Sequence, residues 1–211
     1  MRATERAQAA DDIIAAARSV FSRGLTHGST GNISVRTTHG ILVTPTGSSL
    51  GTVEADDLSL IDERGVHLSG PKPSKEAFLH AAVLRARPSA QAVVHTHSTY
   101  GAAVSCMRDL DTENVLPPLT AYFAMRVGRL PLLPYHAPGD TGLESLAEAT
   151  AAKRPAMLLS NHGPVVAGTS LAAAMDALEE LEETAKLFLL LRGLPVNPLT
   201  DEQVTALDSR A

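Results

Sequence analysis

Residues 92–98 read Ala-Val-Val-His-Thr-His-Ser, an apolar run that ends in two histidines one residue apart. A β-strand turns successive side chains to opposite faces, so His95 and His97 would share a face and both imidazoles could reach one metal ion. A third histidine, His162, follows another apolar run, residues 157–159, in a Ser-Asn-His-Gly-Pro turn. Three histidines leave a fourth coordination position open, as in catalytic zinc sites.

We predict a bound divalent metal at these three histidines, although a His-x-His pattern alone is a weak signal. Zinc is expected because neutral imidazole suits it, and manganese, cobalt or iron could occupy the same geometry. Glu76, at a predicted helix start, would be a fourth ligand or a general acid/base. The alternative is an exposed glutamate that the helix dipole favours in a first turn. His80 is expected to be a core or supporting histidine and not a ligand.

The bulk composition narrows the class of protein. The chain has 211 residues and a net charge of -5. This length suits one hydrophobic core, and no linker divides it, so we predict a single domain over residues 1–211. Its scattered basic residues predict no nucleic-acid or membrane partner. Cys106, the single cysteine, forms no intramolecular disulfide, and no targeting or membrane-spanning segment is recognisable, which predicts a cytoplasmic protein.

Hydrophobic periodicity predicts the main elements. Amphipathic helices are expected over residues 11–23 and 170–192, each ended by a glycine, and a helix capped by Ser74 is expected to run from 75 to about 85. Apolar runs bounded by turn residues predict strands at 33–35, 41–44, 58–61, 66–68 and 127–133, besides the histidine-bearing strand. This mixture predicts a layered α/β fold.

Three turns rich in Gly, Ser and Thr could bind an oxyanion. They cover residues 28–32, 44–49 and 73–75. Backbone N–H groups, hydroxyls and an amide could act as donors there, and Lys75 adds a cation at a helix N-terminus. Each turn alone is more typical of ordinary turn chemistry. None has the spacing of a nucleotide-binding glycine loop.

Five motifs together resemble those of the class II aldolase/adducin-like family. They are residues 31–34, 44–47, 73–76, 94–98 and 161–163. The similarity spans about residues 9–192. It implies a three-layer α/β/α sandwich with a mixed central sheet, commonly a cyclic homotetramer with active sites between subunits.

The resemblance also implies roles for individual residues. His95, His97 and His162 would be zinc ligands, and Glu76 would be the acid/base that also coordinates the metal. The implied phosphate-binding residues are Asn32, Thr46, Gly47, Ser74 and Lys75. Zinc aldolases of the family carry a second small hydroxyl residue in place of Lys75. The lysine adds positive charge, which is consistent with a substrate that carries a further anion such as a carboxylate.

A narrower resemblance concerns residues 28–32, 45–51, 119–128 and 178–186, which look like the 3-oxo-tetronate 4-phosphate decarboxylase branch of the family. It implies conversion of a four-carbon β-keto acid phosphate to dihydroxyacetone phosphate and carbon dioxide through a metal-stabilised enediolate, in carbohydrate acid catabolism. Tyr122 would be a catalytic tyrosine donated across the subunit interface. The alternative is a partly buried strand tyrosine with a hydrogen-bonded hydroxyl.

Two other functions stay open at this point. A fuculose-phosphate type aldolase or a ribulose-phosphate 4-epimerase would use closely related chemistry. Some of these enzymes rely on a tyrosine in the C-terminal tail, and this chain has no tyrosine after Tyr135. A non-enzymatic adducin-like scaffold is the third possibility. The complete set of three histidines and Glu76 argues against it.

Overall fold

A central sheet of eight strands organises the computed structural model, which describes residues 2–208. The strands are β1 (Asn32–Thr37), β2 (Gly40–Val43), β3 (Ser59–Ile61), β4 (His67–Ser69), β5 (Ala92–His95), β6 (Leu132–Leu133), β7 (Ala156–Leu159) and β8 (Gly163–Gly168). Their order across the sheet is β4-β3-β2-β1-β5-β8-β7-β6. Adjacent strands are antiparallel except β6 and β7, which are parallel, so the sheet is mixed as predicted.

Helices cover both faces of the sheet. They are α1 (Arg2–Ser22), α2 (Ala77–Ala86), α3 (Thr99–Ser105), α4 (Ala121–Arg126), α5 (Glu144–Ala151), α6 (Leu171–Leu190) and α7 (Asp201–Asp208). The long helix α6 begins where the sequence places its cap. The Ser170 side chain accepts a hydrogen bond from the backbone N–H of Ala173 at 3.1 Å and so satisfies one of the unpaired donors of the first turn.

The strands separate two hydrophobic cores because their side chains alternate between the faces. Val94 of β5 packs with α1, α3, α4 and α6 in one core. Val93, its neighbour, packs with α2 and α5 in the other core. Two helical layers therefore enclose the sheet, and the prediction of a three-layer α/β/α sandwich is confirmed.

Several element boundaries differ from the sequence prediction. The first helix begins at Arg2 and not at residue 11, and α2 begins at Ala77 with Glu76 at its N-cap, so Ser74 does not cap it. The predicted strand at 127–133 shrinks to Leu132–Leu133, because Val127 is the C-cap of α4 and Gly128 follows with a positive φ of 68°. Strand β8 was not predicted because it starts with Gly163 and Pro164, which are typical of a turn. The short helices carry too little periodicity to detect.

Within residues 2–208, no helix is both long enough and apolar enough to cross a membrane.

The turn between β7 and β8 brings two stretches of backbone into close contact. A Cβ added to Gly163 would overlap the carbonyl oxygen of Thr96, the residue between His95 and His97. A side chain at Gly163 would therefore push the turn that carries His162 away from the other two histidines.

We predict that Gly163→Ala lowers the free energy of unfolding by about 2–3 kcal/mol, because backbone must move to relieve the overlap. Denaturant unfolding measures this change. Gly142→Ala is the control, since its Cβ would meet only the side chains of Asp140, at 3.1 Å, and His136, at 3.6 Å, and no backbone. Equal stability of Gly163→Ala and wild type would contradict the close-packing account.

Candidate functional site

Three imidazole rings meet where β5 ends and β8 begins. Nε2 of His162 lies 3.2 Å from Nε2 of His95 and 2.9 Å from Nε2 of His97. The potential ligand atoms of all three residues lie within 4.8 Å of one another. Nitrogen ligands of one tetrahedral zinc ion would be roughly 3.3 Å apart. The cluster is therefore the right size to bind a single ion.

Backbone pairing with β8 continues one residue beyond His95, the last residue of β5. The N–H of Thr96 donates to the carbonyl of Pro164 at 3.3 Å, which continues the pairing with β8. The prediction that both histidines belong to a strand holds for His95 alone.

The turn before β8 is held by the end of α3. Backbone N–H groups of Asn161 and His162 donate to the carbonyl and the hydroxyl oxygen of Ser105, each at 3.1 Å. Asn161 has φ = 56°, a left-handed conformation that asparagine tolerates better than most residues. These contacts fix where the His162 side chain enters the cluster.

One hydrogen bond sets the tautomer of His95. Its Nδ1 lies 2.8 Å from the carbonyl oxygen of Pro164. Because a carbonyl oxygen can only accept, Nδ1 carries the hydrogen and Nε2 turns its lone pair to the cluster. This arrangement is typical of a metal-bound histidine.

Glu76 completes the cluster from the N-terminus of α2. Its Oε2 lies 3.4 Å from Nε2 of His95, and its Oε1 lies 3.2 Å from Nε2 of His162. The residue is buried. Imidazole lone pairs and carboxylate oxygens that converge in a largely buried space repel one another unless a cation lies between them. The donor set therefore fits a divalent metal, and neutral nitrogen with carboxylate suits zinc.

The protonation states favour metal binding at neutral pH. Burial is the main cause that lowers the pKa of His97 to about 3 and that of His162 to about 4. Burial opposes ionisation of Glu76, but the neighbouring His95 ring and a hydrogen bond from Asn32 outweigh it and lower the pKa of Glu76 to about 2. Neutral imidazoles and an ionised carboxylate are the forms that coordinate metals.

A cavity of about 220 Å³ opens beside the cluster. Its walls contain every residue predicted to bind phosphate, and they also contain Glu76, His97 and His162. The predicted set is Asn32, Thr46, Gly47, Ser74 and Lys75. The structure thus brings the three Gly/Ser/Thr-rich turns together around one space, next to the candidate metal ligands.

Asn32 and His80 form a hydrogen-bonded chain to Glu76 that the sequence did not indicate. The Asn32 Nδ2 donates to Glu76 Oε2 at 2.9 Å, and the Asn32 Oδ1 accepts from Nε2 of His80. His80 is fully buried and lies outside the histidine cluster, as expected for a supporting residue. Ser34, which contacts His80, was not singled out, because nothing in a single serine of a predicted strand indicates such a role.

The loop after β6 forms a wall that the sequence analysis missed. Pro138 lines the cavity, and a Cβ on Gly139 would lie 3.3 Å from Cβ of Lys75. His136 and Asp140 in the same loop are joined by a 2.9 Å contact. The loop follows a two-residue strand, so no local pattern could have placed it beside the site.

Tyr122 does not line the cavity of its own chain. It lies on α4, 59% exposed, with the Arg126 guanidinium 5.3 Å from its ring centre. The alternative of a partly buried strand tyrosine is therefore wrong. Its predicted contribution to a neighbouring subunit's site stays a prediction.

Comparison with known proteins agrees with the motif resemblance. The profile of the family described as Class II Aldolase and Adducin N-terminal domain matches residues 11–189. The 3-oxo-tetronate 4-phosphate decarboxylase of Haemophilus influenzae is 47% identical over 194 residues, which cover 92% of each chain. The L-fuculose phosphate aldolase of the same organism is 32% identical over 202 residues, 94% of this chain and 91% of the aldolase.

A solved structure shares the fold closely. The crystal structure of YgbL from Klebsiella pneumoniae superposes with a TM-score of 0.93 at 42% identity and covers 96% of this chain and 98% of that chain. Together with the sequence matches, this likeness confirms the predicted resemblance.

Stability of the metal-free protein should fall as pH is lowered from 7 to 5. Burial lowers the pKa of His80 to about 3, well below the ordinary histidine value, so in this window the unfolded chain binds a proton that the folded chain does not. Proton linkage at His80 alone lowers the free energy of unfolding by about 2 kcal/mol between pH 7 and pH 5. His97 and His162 act in the same direction. Glu76 acts only at lower pH, because its lowered pKa stabilises the fold until it is protonated.

Urea unfolding of metal-stripped protein at pH 7, 6 and 5 measures this effect. His80→Gln lacks one of the responsible groups and should show a shallower dependence on pH. Stability that stays constant or rises towards pH 5 would contradict the burial of neutral histidines.

Proposed function

This chain belongs to the class II aldolase and adducin family, and from that premise we propose that it is a metal-dependent carboxy-lyase acting on a 3-oxo-tetronate 4-phosphate. The proposed products are dihydroxyacetone phosphate and carbon dioxide. Support comes from the decarboxylase of Haemophilus influenzae, which is 47% identical to this chain, against 32% for the fuculose phosphate aldolase of that organism.

The observation that carries the proposal is the composition of the cavity. It combines a metal-binding cluster with two kinds of anion-binding group, the Gly/Ser/Thr turns and the Lys75 ammonium. A 3-oxo-tetronate 4-phosphate has a carboxylate at one end and a phosphate at the other. The turns suit the phosphate, and Lys75 adds the charge that a second anion requires.

The chemistry follows from the position of the ketone. The bond between C1 and C2 breaks, carbon dioxide leaves, and the electron pair moves to C2 and the C3 oxygen. A bound zinc ion would act as a Lewis acid that stabilises the negative charge developing there. Protonation of C2 then gives dihydroxyacetone phosphate, so one proton is consumed for each carbon dioxide released.

The chain's own residues would position the substrate and handle this proton. Thr46, Gly47 and Ser74 would hold the phosphate and so keep C2 in register with the cluster. Glu76, ionised at neutral pH, would act as acid/base and would need to acquire a proton before donating it to C2. A hydroxyl such as that of Tyr122, supplied by a neighbouring subunit, is the second proposed donor.

The finer properties of the holoenzyme are part of the same proposal. We propose zinc as the native metal, a cyclic homotetramer in which Tyr122 reaches an adjacent site, and action in the cytoplasm on a small phosphorylated sugar acid. The single free Cys106 fits a reducing compartment at least as well as an exported one. The depressed pKa values of His97 and His162 support a metal site that is ready to bind at neutral pH.

A second candidate is an aldolase that cleaves a phosphorylated sugar. The 32% identity to L-fuculose phosphate aldolase favours it as the alternative, because cleavage of an aldol bond and loss of carbon dioxide develop charge at the same positions. The presence of Lys75 favours decarboxylation.

Product analysis separates the two reactions. Zinc-loaded protein is incubated with 3-oxo-tetronate 4-phosphate of each C2 configuration, and carbon dioxide and dihydroxyacetone phosphate are followed together. We expect equal amounts of both products from one configuration. No release from either substrate, accompanied by aldehyde release from fuculose 1-phosphate, would contradict the decarboxylase proposal.

Lys75→Ala should lower kcat/KM for that substrate by about 10- to 100-fold, as expected for loss of a charge-assisted hydrogen bond. Lys72→Ala is the matched control, because Lys72 is exposed and lies outside the cavity wall. Steady-state kinetics at constant ionic strength measure both variants. Equal losses in the two variants would show that Lys75 acts only through the overall charge.

A further inference from the structure

A buried chain of polar side chains joins β1 to Glu76. Ser34 Oγ lies 2.7 Å from Nδ1 of His80, Nε2 of His80 contacts Oδ1 of Asn32, and Nδ2 of Asn32 lies 2.9 Å from Glu76 Oε2. Ser34 and His80 are fully buried, and Asn32 is nearly so. Water therefore cannot replace any of these partners.

The local periodicities explain how the chain is assembled. Asn32 and Ser34 are two residues apart on β1 and share the strand face that packs on α2. Glu76 and His80 are four residues apart at the start of α2 and share one helix face. The two pairs meet where β1 passes beneath α2.

The direction of every hydrogen bond follows from the carboxylate at the end of the chain. Glu76 is ionised and can only accept, so Asn32 must present Nδ2 to it and Oδ1 to His80. Oδ1 can also only accept, so Nε2 of His80 carries the hydrogen. Nδ1 then accepts from the Ser34 hydroxyl. One arrangement satisfies all four side chains.

Packing alone does not require a histidine at this position. The buried residues around His80 on α2 are otherwise apolar, among them Leu79, Ala81, Val83 and Leu84. An apolar side chain of similar size would avoid the desolvation of an imidazole. The polar contacts of His80 lead to Ser34 on one side and, through Asn32, to Glu76 on the other.

We propose that His80 is a positioning residue that, held by Ser34, fixes the Asn32 amide so that its Nδ2 faces Glu76 and aims the carboxylate at the metal cluster. This proposal rests on the function proposed above, in which Glu76 works as acid/base. Without the donor on His80, the Asn32 amide can turn over and place Oδ1 against the carboxylate, which repels it. Glu76 would then lose its fixed distances to His95 and His162.

Two substitutions of His80 test the proposal by kinetics. His80→Leu removes the donor, and we expect kcat to fall about 10- to 100-fold, the range typical of groups that orient metal-site residues, with KM and zinc content unchanged. His80→Gln retains an N–H that can reach Asn32 Oδ1 and should keep most of the wild-type kcat. Unchanged kcat in His80→Leu, or equal losses in both variants, would overturn the proposal.

A second substitution tests the same proposal if the His80→Leu variant does not fold. Ser34→Ala leaves the imidazole in place but removes the hydroxyl that selects its tautomer, so kcat should fall less than in His80→Leu, again at constant zinc content. Wild-type kcat in folded Ser34→Ala would remove Ser34 from the mechanism and overturn the proposal as stated.

A measurement without substrate separates this proposal from the proposed function. The ¹⁵N spectrum of the histidine rings in zinc-loaded protein should show His80 neutral with hydrogen on Nε2. Hydrogen on Nδ1 would overturn the positioning role whatever the enzyme's substrate. If neither 3-oxo-tetronate 4-phosphate is turned over, the proposed function fails, and the ring spectrum still decides whether His80 orients Asn32.

Discussion

The site depends on one electrostatic constraint, the convergence of imidazole lone pairs and a carboxylate in a space with little water. His95, His97, His162 and Glu76 come from two strand ends and a helix start. Such a cluster is unfavourable by itself, since like partial charges repel more strongly where the dielectric is low. A cation relieves the repulsion, and a rigid surrounding keeps the groups from moving apart. The close approach of Gly163 to Thr96 and the hydrogen bonds that Ser105 accepts from Asn161 and His162 supply that rigidity.

Much of the site could be predicted from sequence because its signals are local. His-x-His after an apolar run and a histidine in a Gly/Pro turn both place ligands at strand ends. The partners of those ligands could not be predicted, since they depend on which elements pack together. The role of Ser34 depends on the packing of β1 against α2, which brings its hydroxyl to His80. The cavity wall at Pro138 depends on the loop after the short strand β6.

The segment around Tyr122 is a part of the fold that local sequence signals did not determine. No element was predicted for residues 121–126, whose apolar and aromatic side chains fit either a strand or a short helix. In the structure they form α4, and the Thr120 side chain caps it by accepting from the N–H of Phe123. Tyr122 therefore lies on an exposed helix surface and not in the strand of the alternative interpretation. Its exposure is compatible with use by another subunit.

X-ray absorption at the zinc edge of the metal-loaded protein tests the central claim most directly. If the cluster binds the ion, the spectrum will show three imidazole nitrogens and an oxygen ligand at about 2.0–2.1 Å. His97→Ala should reduce the imidazole contribution or abolish stoichiometric binding. A spectrum with sulfur ligands, or one without imidazole scattering, would contradict the assignment of these histidines as the metal site.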